Sequence, residues 1–187
     1  SGNYFIGNTA ELGGGGLSAY YYGRPVTDGN IFFGNQTAGA GGGVLCVGAS
    51  APPLTTNNFY ANTAENGGAL ACVLGSHPFV GLGTVMRENT ANTNGGAVYC
   101  ADFSSPEIVN AIVYANTAAA GAFYCAGLSN PAIRNVTLAD NAGGGVHAVG
   151  SAPTVVNAIL WNADAELDGC GATYSCVRGG APGEGYF

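Results

Sequence analysis

A short apolar run followed by an asparagine recurs along the whole chain. Runs such as Ile31-Phe32-Phe33 and Ile159-Leu160-Trp161 are rich in β-branched and aromatic residues and too short for helices, so they predict strands. The first five asparagines are 27 residues apart, and the last two follow at intervals of 25 and 21 residues. A nearly fixed interval of this size is typical of a solenoid, in which each repeat is one coil. The recurring asparagines are Asn8, Asn35, Asn62, Asn89, Asn116, Asn141 and Asn162.

Each of the first six asparagines is followed by one or more glycines and then by a second apolar segment. Side chains two residues apart on a strand point to the same face, so two positions of this segment are predicted to face the core. The residue between them varies in character and is predicted to face outward. The first core position holds Leu17, Val44, Leu70, Val98, Phe123 and Val146, and the second holds Ala19, Cys46, Cys72, Cys100, Cys125 and Ala148.

A third apolar position follows a proline at the end of each repeat, as at Pro53-Leu54. Three short strands per coil predict an all-β fold, a right-handed parallel β-helix of about seven coils with about 27 residues each. The repeat has no linker, which predicts a single domain over residues 1–187, with an irregular C-terminal tail or cap over residues 170–187. The seven recurring asparagines are predicted to form a structural ladder of side-chain amides.

Six cysteines fall into two groups. Four of them occupy the small-residue core position of successive coils, which predicts a column of buried free thiols. Disulfides between neighbours in this column are the alternative, because adjacent coils place their α-carbons within reach of a bridge. Cys170 and Cys176 lie outside the column, and the short loop between them predicts a disulfide of the kind found in oxidising compartments. The column is made of Cys46, Cys72, Cys100 and Cys125.

Charge is sparse and acidic in this sequence. Only 8% of the residues are charged, there is no lysine, and the formal net charge is −7. This balance argues against binding to nucleic acid or to an anionic membrane surface. No apolar run of 18 residues and no charged leader is present, so neither a transmembrane helix nor a signal peptide is predicted. The chain begins at Ser1 inside a repeat, and we expect it to be a processed or excised fragment.

Two motifs of the repeat resemble those of a known family. Phe-x-x-Asn ends at the first three recurring asparagines, and Gly-Gly-Ala followed by an apolar residue occurs at Gly67–Leu70 and Gly95–Val98. This pairing resembles the repeat of the chlamydial polymorphic outer membrane proteins, although Met86, Val113 and Leu138 replace the phenylalanine in later coils. The resemblance covers nearly the whole chain. It implies a secreted or surface-displayed bacterial rod, often adhesive, and supplies no catalytic residue.

Candidate chemistry is weak in this sequence. Many right-handed β-helices cleave acidic polysaccharides with clustered carboxylates, so a carbohydrate-binding or polysaccharide-cleaving protein is the alternative function. No two of the first seven acids share a column in neighbouring coils, and neither His77 nor His147 lies in a nucleophile motif, so no catalytic residue and no cofactor is predicted. Asp164, Glu166 and Asp168 alternate and form a weak calcium candidate, with a solvated acidic loop as the commoner interpretation.

Outward tyrosines and the two ends of the rod indicate a function. The tyrosines predict either an aromatic face that binds sugars or proteins or an ordinary solvent face. Unpaired backbone groups at the end coils can pair with another subunit. We therefore expect a non-enzymatic extracellular or cell-surface structural module, an adhesin-like rod or a fibre subunit assembled end to end. Its expected partners are a second copy of the chain, surface proteins or glycans, without nucleic acid and without membrane insertion. The tyrosines are Tyr20, Tyr21, Tyr22, Tyr99 and Tyr124.

Overall fold

The fold is built from short strands joined by turns. A computed structural model describes residues 1–180, and none of them forms a helix that would be long and apolar enough to cross a membrane. The first thirteen strands are β1 (Tyr4–Ile6), β2 (Thr9–Ala10), β3 (Leu17–Tyr20), β4 (Thr27–Asp28), β5 (Ile31–Phe33), β6 (Gln36–Thr37), β7 (Val44–Val47), β8 (Pro53–Thr55), β9 (Asn58–Tyr60), β10 (Thr63–Asn66), β11 (Leu70–Val73), β12 (Phe79–Gly81) and β13 (Val85–Arg87). The remaining strands are β14 (Thr90–Asn94), β15 (Val98–Cys100), β16 (Glu107–Val109), β17 (Ile112–Tyr114), β18 (Phe123–Ala126), β19 (Ala132–Arg134), β20 (Thr137–Ala139), β21 (Val146–Val149), β22 (Thr154–Val156), β23 (Ile159–Trp161), β24 (Leu167–Asp168), β25 (Ala172–Thr173) and β26 (Cys176–Val177).

Strands of successive coils pair in parallel and form four sheets that run along the rod. Sheet A has eight strands in the order β1-β5-β9-β13-β17-β20-β23-β26. Sheet C, in the order β24-β21-β18-β15-β11-β7-β3, and sheet D, in the order β25-β22-β19-β16-β12-β8-β4, have seven strands each. The predicted parallel β-helix is therefore confirmed. A short sheet B, in the order β14-β10-β6-β2, is the one sheet that the sequence pattern did not predict.

Equivalent side chains of successive coils stack on one another inside the rod. The middle residue of each sheet A strand points inward, and the Phe5, Phe32 and Phe59 rings stack with centroids 4.7 and 4.8 Å apart. Both core positions predicted for sheet C line the interior, which confirms the period-two interpretation. Because each coil repeats the same inward residues, the core is continuous along the rod.

The predicted asparagine ladder is present and runs through seven coils. Asn62 donates its backbone N–H and its Nδ2 to Asn89 Oδ1 at 3.0 and 2.9 Å, and Asn89 repeats the pattern with Asn116. The side-chain bonds of the ladder are 2.8 or 2.9 Å long. From Asn35 to Asn162 the side chains are buried, so the ladder satisfies amide groups that would otherwise be costly inside the rod.

Two further ladders occupy other corners and were missed by the sequence analysis. Asn3 donates to Asn30 Oδ1, and Asn30 donates in the same way to Asn57. Serines form a third ladder, in which the backbone N–H of each coil donates to the hydroxyl of the next. These serines are Ser76, Ser104, Ser129 and Ser151. At all three corners, a side-chain oxygen of the next coil accepts a hydrogen bond from a backbone N–H group.

The predicted cysteine column is stacked in register. Cys72 lies opposite Cys46 and Cys100, and Cys100 lies opposite Cys125. All four are buried and unbridged, and burial raises the pKa of the Cys72 thiol. The interior position thus carries small side chains that pack as apolar groups.

The disulfide predicted between Cys170 and Cys176 is not formed, and both thiols are free. Cys176 begins β26 in sheet A, where it lies opposite Ile159. The Cys170 thiol instead packs against the core and lies 3.7 Å from the Val146 carbonyl oxygen. Cys170 therefore packs against the core while Cys176 lies in sheet A, a separation that the length of the loop between them does not reveal.

The bend between sheets B and C encloses a second apolar cluster outside the main core. Leu45 and Ala71, which were predicted to face outward, do so but are buried in this cluster with Val47. A Cβ on Gly13 would lie 2.5 Å from Leu45 Cδ2, so the missing side chain at Gly13 makes room for Leu45. The glycine cluster therefore allows the bend to fold over sheet C.

The C-terminal segment continues the winding further than the sequence pattern indicated. Residues 170–187 were predicted to be an irregular tail, yet β25 pairs with β22 and β26 pairs with β23. The β-helix therefore extends at least to Val177. Residues 181–187 of the predicted tail lie outside the described residues.

Candidate binding surface

The outer face of sheet A exposes large apolar side chains along the rod. Its strands are mostly three residues long, so the first and third side chains point outward while the middle one enters the core. The first positions carry Tyr4, Ile31, Asn58, Val85, Ile112, Thr137, Ile159 and Cys176, and the third carry Ile6, Phe33, Tyr60, Arg87, Tyr114, Ala139 and Trp161. Arg87 is the one charged residue of this set.

Large side chains on this face are open to solvent. Tyr4 is 69% exposed, Ile6 54%, Ile112 48% and Trp161 51%. Single exposed apolar residues are ordinary, but contiguous ones on a rigid surface mark interaction sites. The outer face of sheet A therefore qualifies as a candidate binding surface.

A shallow cleft of about 280 Å³ lies at the N-terminal end of this face. Phe33 and Tyr60 stack in it with ring centroids 5.0 Å apart, and the Arg87 guanidinium lies 3.8 Å from the centroid of Tyr60. Arg87 also pairs with Glu88 at 3.0 Å, so its charge is partly balanced. The Asn58 Oδ1 atom is buried beside these rings and has no hydrogen-bond partner among residues 1–180. The cleft thus combines aromatic edges, one cation and one free acceptor.

The outer face of sheet C carries a second candidate feature, a stack of rings. Tyr99, Tyr124 and His147 stack with centroids 5.8 and 5.1 Å apart, and His147 Nδ1 lies 2.8 Å from Asp168 Oδ2. Burial, with Asp102 nearby, raises the pKa of Tyr99, which keeps its hydroxyl protonated at neutral pH. Both ring faces of Tyr124 are covered by its neighbours, so this stack offers hydroxyl groups and ring edges, not faces.

His147 and Asp168 also line a cleft of about 450 Å³ between the sheet C face and the glycine turns. Alanine and glycine form much of its wall, and Asp164 completes the polar part by accepting the Gly143 N–H at 2.9 Å. The sequence analysis found no nucleophile motif around His147, and the structure pairs its Nδ1 with the Asp168 carboxylate. The arrangement offers hydrogen-bond donors and acceptors to hydroxyl-rich ligands.

The five tyrosines proposed as one aromatic face are not brought together. Tyr99 and Tyr124 occupy the middle position of their strands, whereas Tyr20 ends β3 opposite Val47 and Tyr21 and Tyr22 follow in the turn. The sequence analysis also missed the outer face of sheet A. The available signal was a run that is apolar at all three positions of a strand, where a solvated outer face would alternate.

The three carboxylates of the weak calcium candidate do not converge. Asp164 accepts the Gly143 N–H, Asp168 pairs with His147, and Glu166 turns inward and is buried. Glu166 accepts the backbone N–H and Nδ2 of Asn162 at 2.5 and 2.6 Å. Within the described part of the chain, no three acids, histidines or cysteines are placed to hold a metal ion. Glu166 is instead a structural residue that the alternation pattern assigned to the wrong environment.

Comparison with known proteins agrees with this architecture. A family model described as a right-handed β-helix region matches residues 67–160, which is 94 of the 187 residues. No curated protein and no solved structure matches the chain. The family match supports the repeat architecture, and the finer resemblance to the chlamydial polymorphic outer membrane proteins stays a prediction.

Proposed function

The chain belongs to the right-handed β-helix family, and from this premise we propose that it is a non-enzymatic, adhesin-like rod of the bacterial exterior. Its contact surface is the outer face of sheet A, where it binds a partner protein through apolar and aromatic contacts. The observation that carries the proposal is the exposure of aromatic and aliphatic side chains along an eight-stranded sheet.

Rigidity supports this role. The strands of sheet A carry their outward side chains on a backbone whose inward residues stack in a continuous core. The hydrogen bonds of the asparagine ladder hold the corner next to these strands. A preorganised surface loses little conformational freedom when it binds, which favours affinity. The aromatic residues on it, Tyr4, Phe33, Tyr60 and Trp161, belong to the types that dominate interface energetics.

The charge distribution of the chain favours a partner protein with an apolar surface over an anionic partner. The protein carries a net charge of −7, yet Arg87 is the one charged side chain on the outer face of sheet A, and it is paired with Glu88. The acidic remainder of the rod repels other acidic surfaces, while this face allows apolar contact without burying an unpaired charge. A partner with a complementary apolar patch fits this distribution.

Trp161 provides a direct test, because it is the single tryptophan of the chain and lies on the proposed surface. Purified extracellular proteins and glycans are arrayed against the chain, and each hit is then titrated while Trp161 fluorescence is recorded. Binding at this face shifts the emission, and Phe33→Ser weakens the affinity at least about tenfold, as expected for an aromatic interface contact. Leu12→Ser, at an exposed residue outside sheet A, is the matched control and leaves the affinity unchanged. Hits that are insensitive to Phe33→Ser and leave the emission unchanged contradict the proposal.

A carbohydrate-binding or polysaccharide-cleaving role is the second candidate, and the cleft beside Tyr124 and His147 favours it. The Tyr99 and Tyr124 hydroxyls and the Asp168 carboxylate offer the donors and acceptors that sugar hydroxyls require. A polysaccharide digestion assay and a glycan array with the Asp168→Asn variant test this role. Cleavage that is lost in Asp168→Asn would replace the non-enzymatic proposal, and glycan binding lost in the variant would move the contact surface to sheet C.

A further inference from the structure

The outer face of sheet A forms a groove that runs along the rod. The middle residues of its strands point inward, so the outward first and third side chains stand as two walls over the backbone between them. At the cleft of about 280 Å³, Ile31 and Asn58 belong to the first wall, and Phe33, Tyr60 and Arg87 belong to the second. Arg87 is the lining residue furthest along the rod, and its guanidinium stacks on Tyr60 and bounds the cleft at that end.

Asn58 interrupts the apolar character of the first wall. Its neighbours in the same column are Ile31 in the coil before and Val85 in the coil after. Among the described residues, its Oδ1 is the one buried side-chain oxygen or nitrogen that has no hydrogen-bond partner. An unpaired buried acceptor destabilises a fold, so an asparagine between isoleucine and valine points to a ligand that supplies the donor.

Arg87 supplies hydrogen-bond donors beside this acceptor. A guanidinium has five N–H groups, and the hydrogen bond that Arg87 forms within residues 1–180 runs from Nη1 to Glu88 Oε1 at 3.0 Å. The other N–H groups are therefore available to a ligand. Because Asn58 and Arg87 both line the cleft, its end combines one acceptor with several donors.

This polar pair selects among the side chains of a partner protein. A carboxylate would set its oxygens against Asn58 Oδ1, and a lysine or arginine would face the Arg87 cation. An indole N–H donates but accepts nothing from Arg87, and a phenylalanine ring leaves Asn58 unpaired. A phenol hydroxyl meets both requirements, because its O–H donates while its oxygen accepts.

The size and the apolar walls of the cleft also fit a phenol. Pockets for drug-sized ligands start at about 300 Å³, so a cleft of about 280 Å³ suits one side chain better than an oligosaccharide. Ile31, Phe33 and Tyr60 line it with apolar atoms, which an aromatic ring covers and a serine or glutamine side chain does not. A sugar would bring several hydroxyl groups against these walls without partners.

We propose that this cleft binds a tyrosine side chain of the partner protein, a specification that rests on the proposed binding role of sheet A. The tyrosine ring lies in the groove between Ile31 and Phe33. Its hydroxyl donates to Asn58 Oδ1 and accepts a hydrogen bond from Arg87. The terminal torsion of an asparagine is broad, so the Asn58 oxygen turns toward a donor that enters the cleft.

Two small aromatic probes test the cleft without a partner protein. p-Cresol carries the ring and hydroxyl of tyrosine and stays protonated at neutral pH, and 4-methylanisole carries the same ring with the oxygen methylated. In an NMR titration, p-cresol binds the wild-type chain at least about fivefold more tightly than 4-methylanisole, which is the preference that one neutral hydrogen bond confers. The side-chain amide resonances of Asn58 shift during the p-cresol titration.

Asn58→Val removes the acceptor and continues the wall of isoleucine and valine, so the fold is retained. In this variant the affinities of the two probes agree within about twofold. The matched control Asn92→Val, at an exposed position outside sheet A, keeps the wild-type preference. Equal binding of the two probes to the wild-type chain, or a preference that survives Asn58→Val, overturns the proposal.

Proteins found to bind the chain give a second criterion, and each of their tyrosines is replaced by phenylalanine in turn. One replacement weakens binding to the wild-type chain at least about fivefold and binding to Asn58→Val by no more than about twofold. If proteins bind sheet A and no replacement behaves in this way, the tyrosine assignment is wrong while the proposed function stands. If the probes behave as expected and no protein binds, the proposed function and the partner tyrosine are both refuted.

Discussion

Removing one amide from the middle of the ladder is the sharpest perturbation of this fold. Asn89→Ala removes two bonds that Nδ2 donates, to Asn116 Oδ1 at 2.9 Å and to the Phe59 carbonyl oxygen at 3.0 Å. It also removes the acceptor for the Asn62 backbone N–H and Nδ2 at 3.0 and 2.9 Å. Asn62 and Asn89 are fully buried, so water does not replace the lost partners without entering the rod.

The cost follows from the two Asn62 donors that are left unpaired. Each buried donor without a partner costs about 1–3 kcal/mol, which gives about 2–6 kcal/mol for Asn89→Ala. For a chain of this length each kcal/mol lowers the melting temperature by about 2–4 °C, so a mid-range loss of about 4 kcal/mol corresponds to about 8–16 °C. This is larger than most single substitutions produce.

Urea unfolding followed by circular dichroism measures the loss, with Asn92→Ala as the matched control. Asn92 lies in the same coil but is exposed, and its Nδ2 donates to Glu65 on the surface, so its removal changes stability by no more than about 0.5 kcal/mol. If Asn89→Ala costs less than about 1 kcal/mol, or no more than Asn92→Ala, the buried ladder does not stabilise the rod as argued.

Three further predictions follow from the described contacts. Glu166→Gln lowers the free energy of unfolding by about 1–3 kcal/mol in urea, because one amide oxygen replaces the two carboxylate acceptors that Asn162 uses. An unchanged free energy contradicts a stabilising role of these two hydrogen bonds. Gly42→Ala lowers the free energy of unfolding by about 1–3 kcal/mol, because the added Cβ would meet the backbone of the neighbouring coil. Gly34→Asn costs less, because Gly34 has open space around it. Equal losses for the two variants contradict the close approach of the backbone at Gly42. Burial raises the pKa of Cys170 to about 11, so at pH 8 about one thiol in a thousand is ionised and alkylation accelerates about tenfold per pH unit until that pKa; a pH-independent rate contradicts it.

Periodic features of the fold could be predicted from the sequence because each coil repeats the same physical requirement. The seven ladder asparagines recur at one point of the repeat, and the sheet C residues two apart share the inner face. The cysteine column follows from the same alignment. Because equivalent positions of successive coils stack on one another, a pattern in one repeat predicts the same environment in the other repeats. Agreement between coils therefore strengthens a prediction that a single short strand would support only weakly.

Features that depend on one coil or one bend could not be predicted in this way. Glu166 alternates with Asp164 and Asp168, but the chain bends there before β24, so alternation did not indicate a shared side. Leu45 and Ala71 are buried by a bend that sequence spacing does not describe.

The candidate binding surface was missed for a related reason. A three-residue apolar strand such as Ile112–Tyr114 indicates an apolar outer face, but it does not show which of its side chains face solvent. Only the pairing of eight strands in one sheet places the outward side chains of successive coils on a common face. The chemistry of the site therefore depends on tertiary structure.

Scalar coupling across hydrogen bonds, measured by nuclear magnetic resonance, tests the stacked ladder most directly. The account predicts that the backbone N–H of Asn62 couples to the side-chain carbonyl carbon of Asn89, and that Asn8, Asn35, Asn89, Asn116 and Asn141 each couple to the next asparagine along the rod. Coupling of these amides to backbone carbonyls, or to no carbonyl, would contradict it.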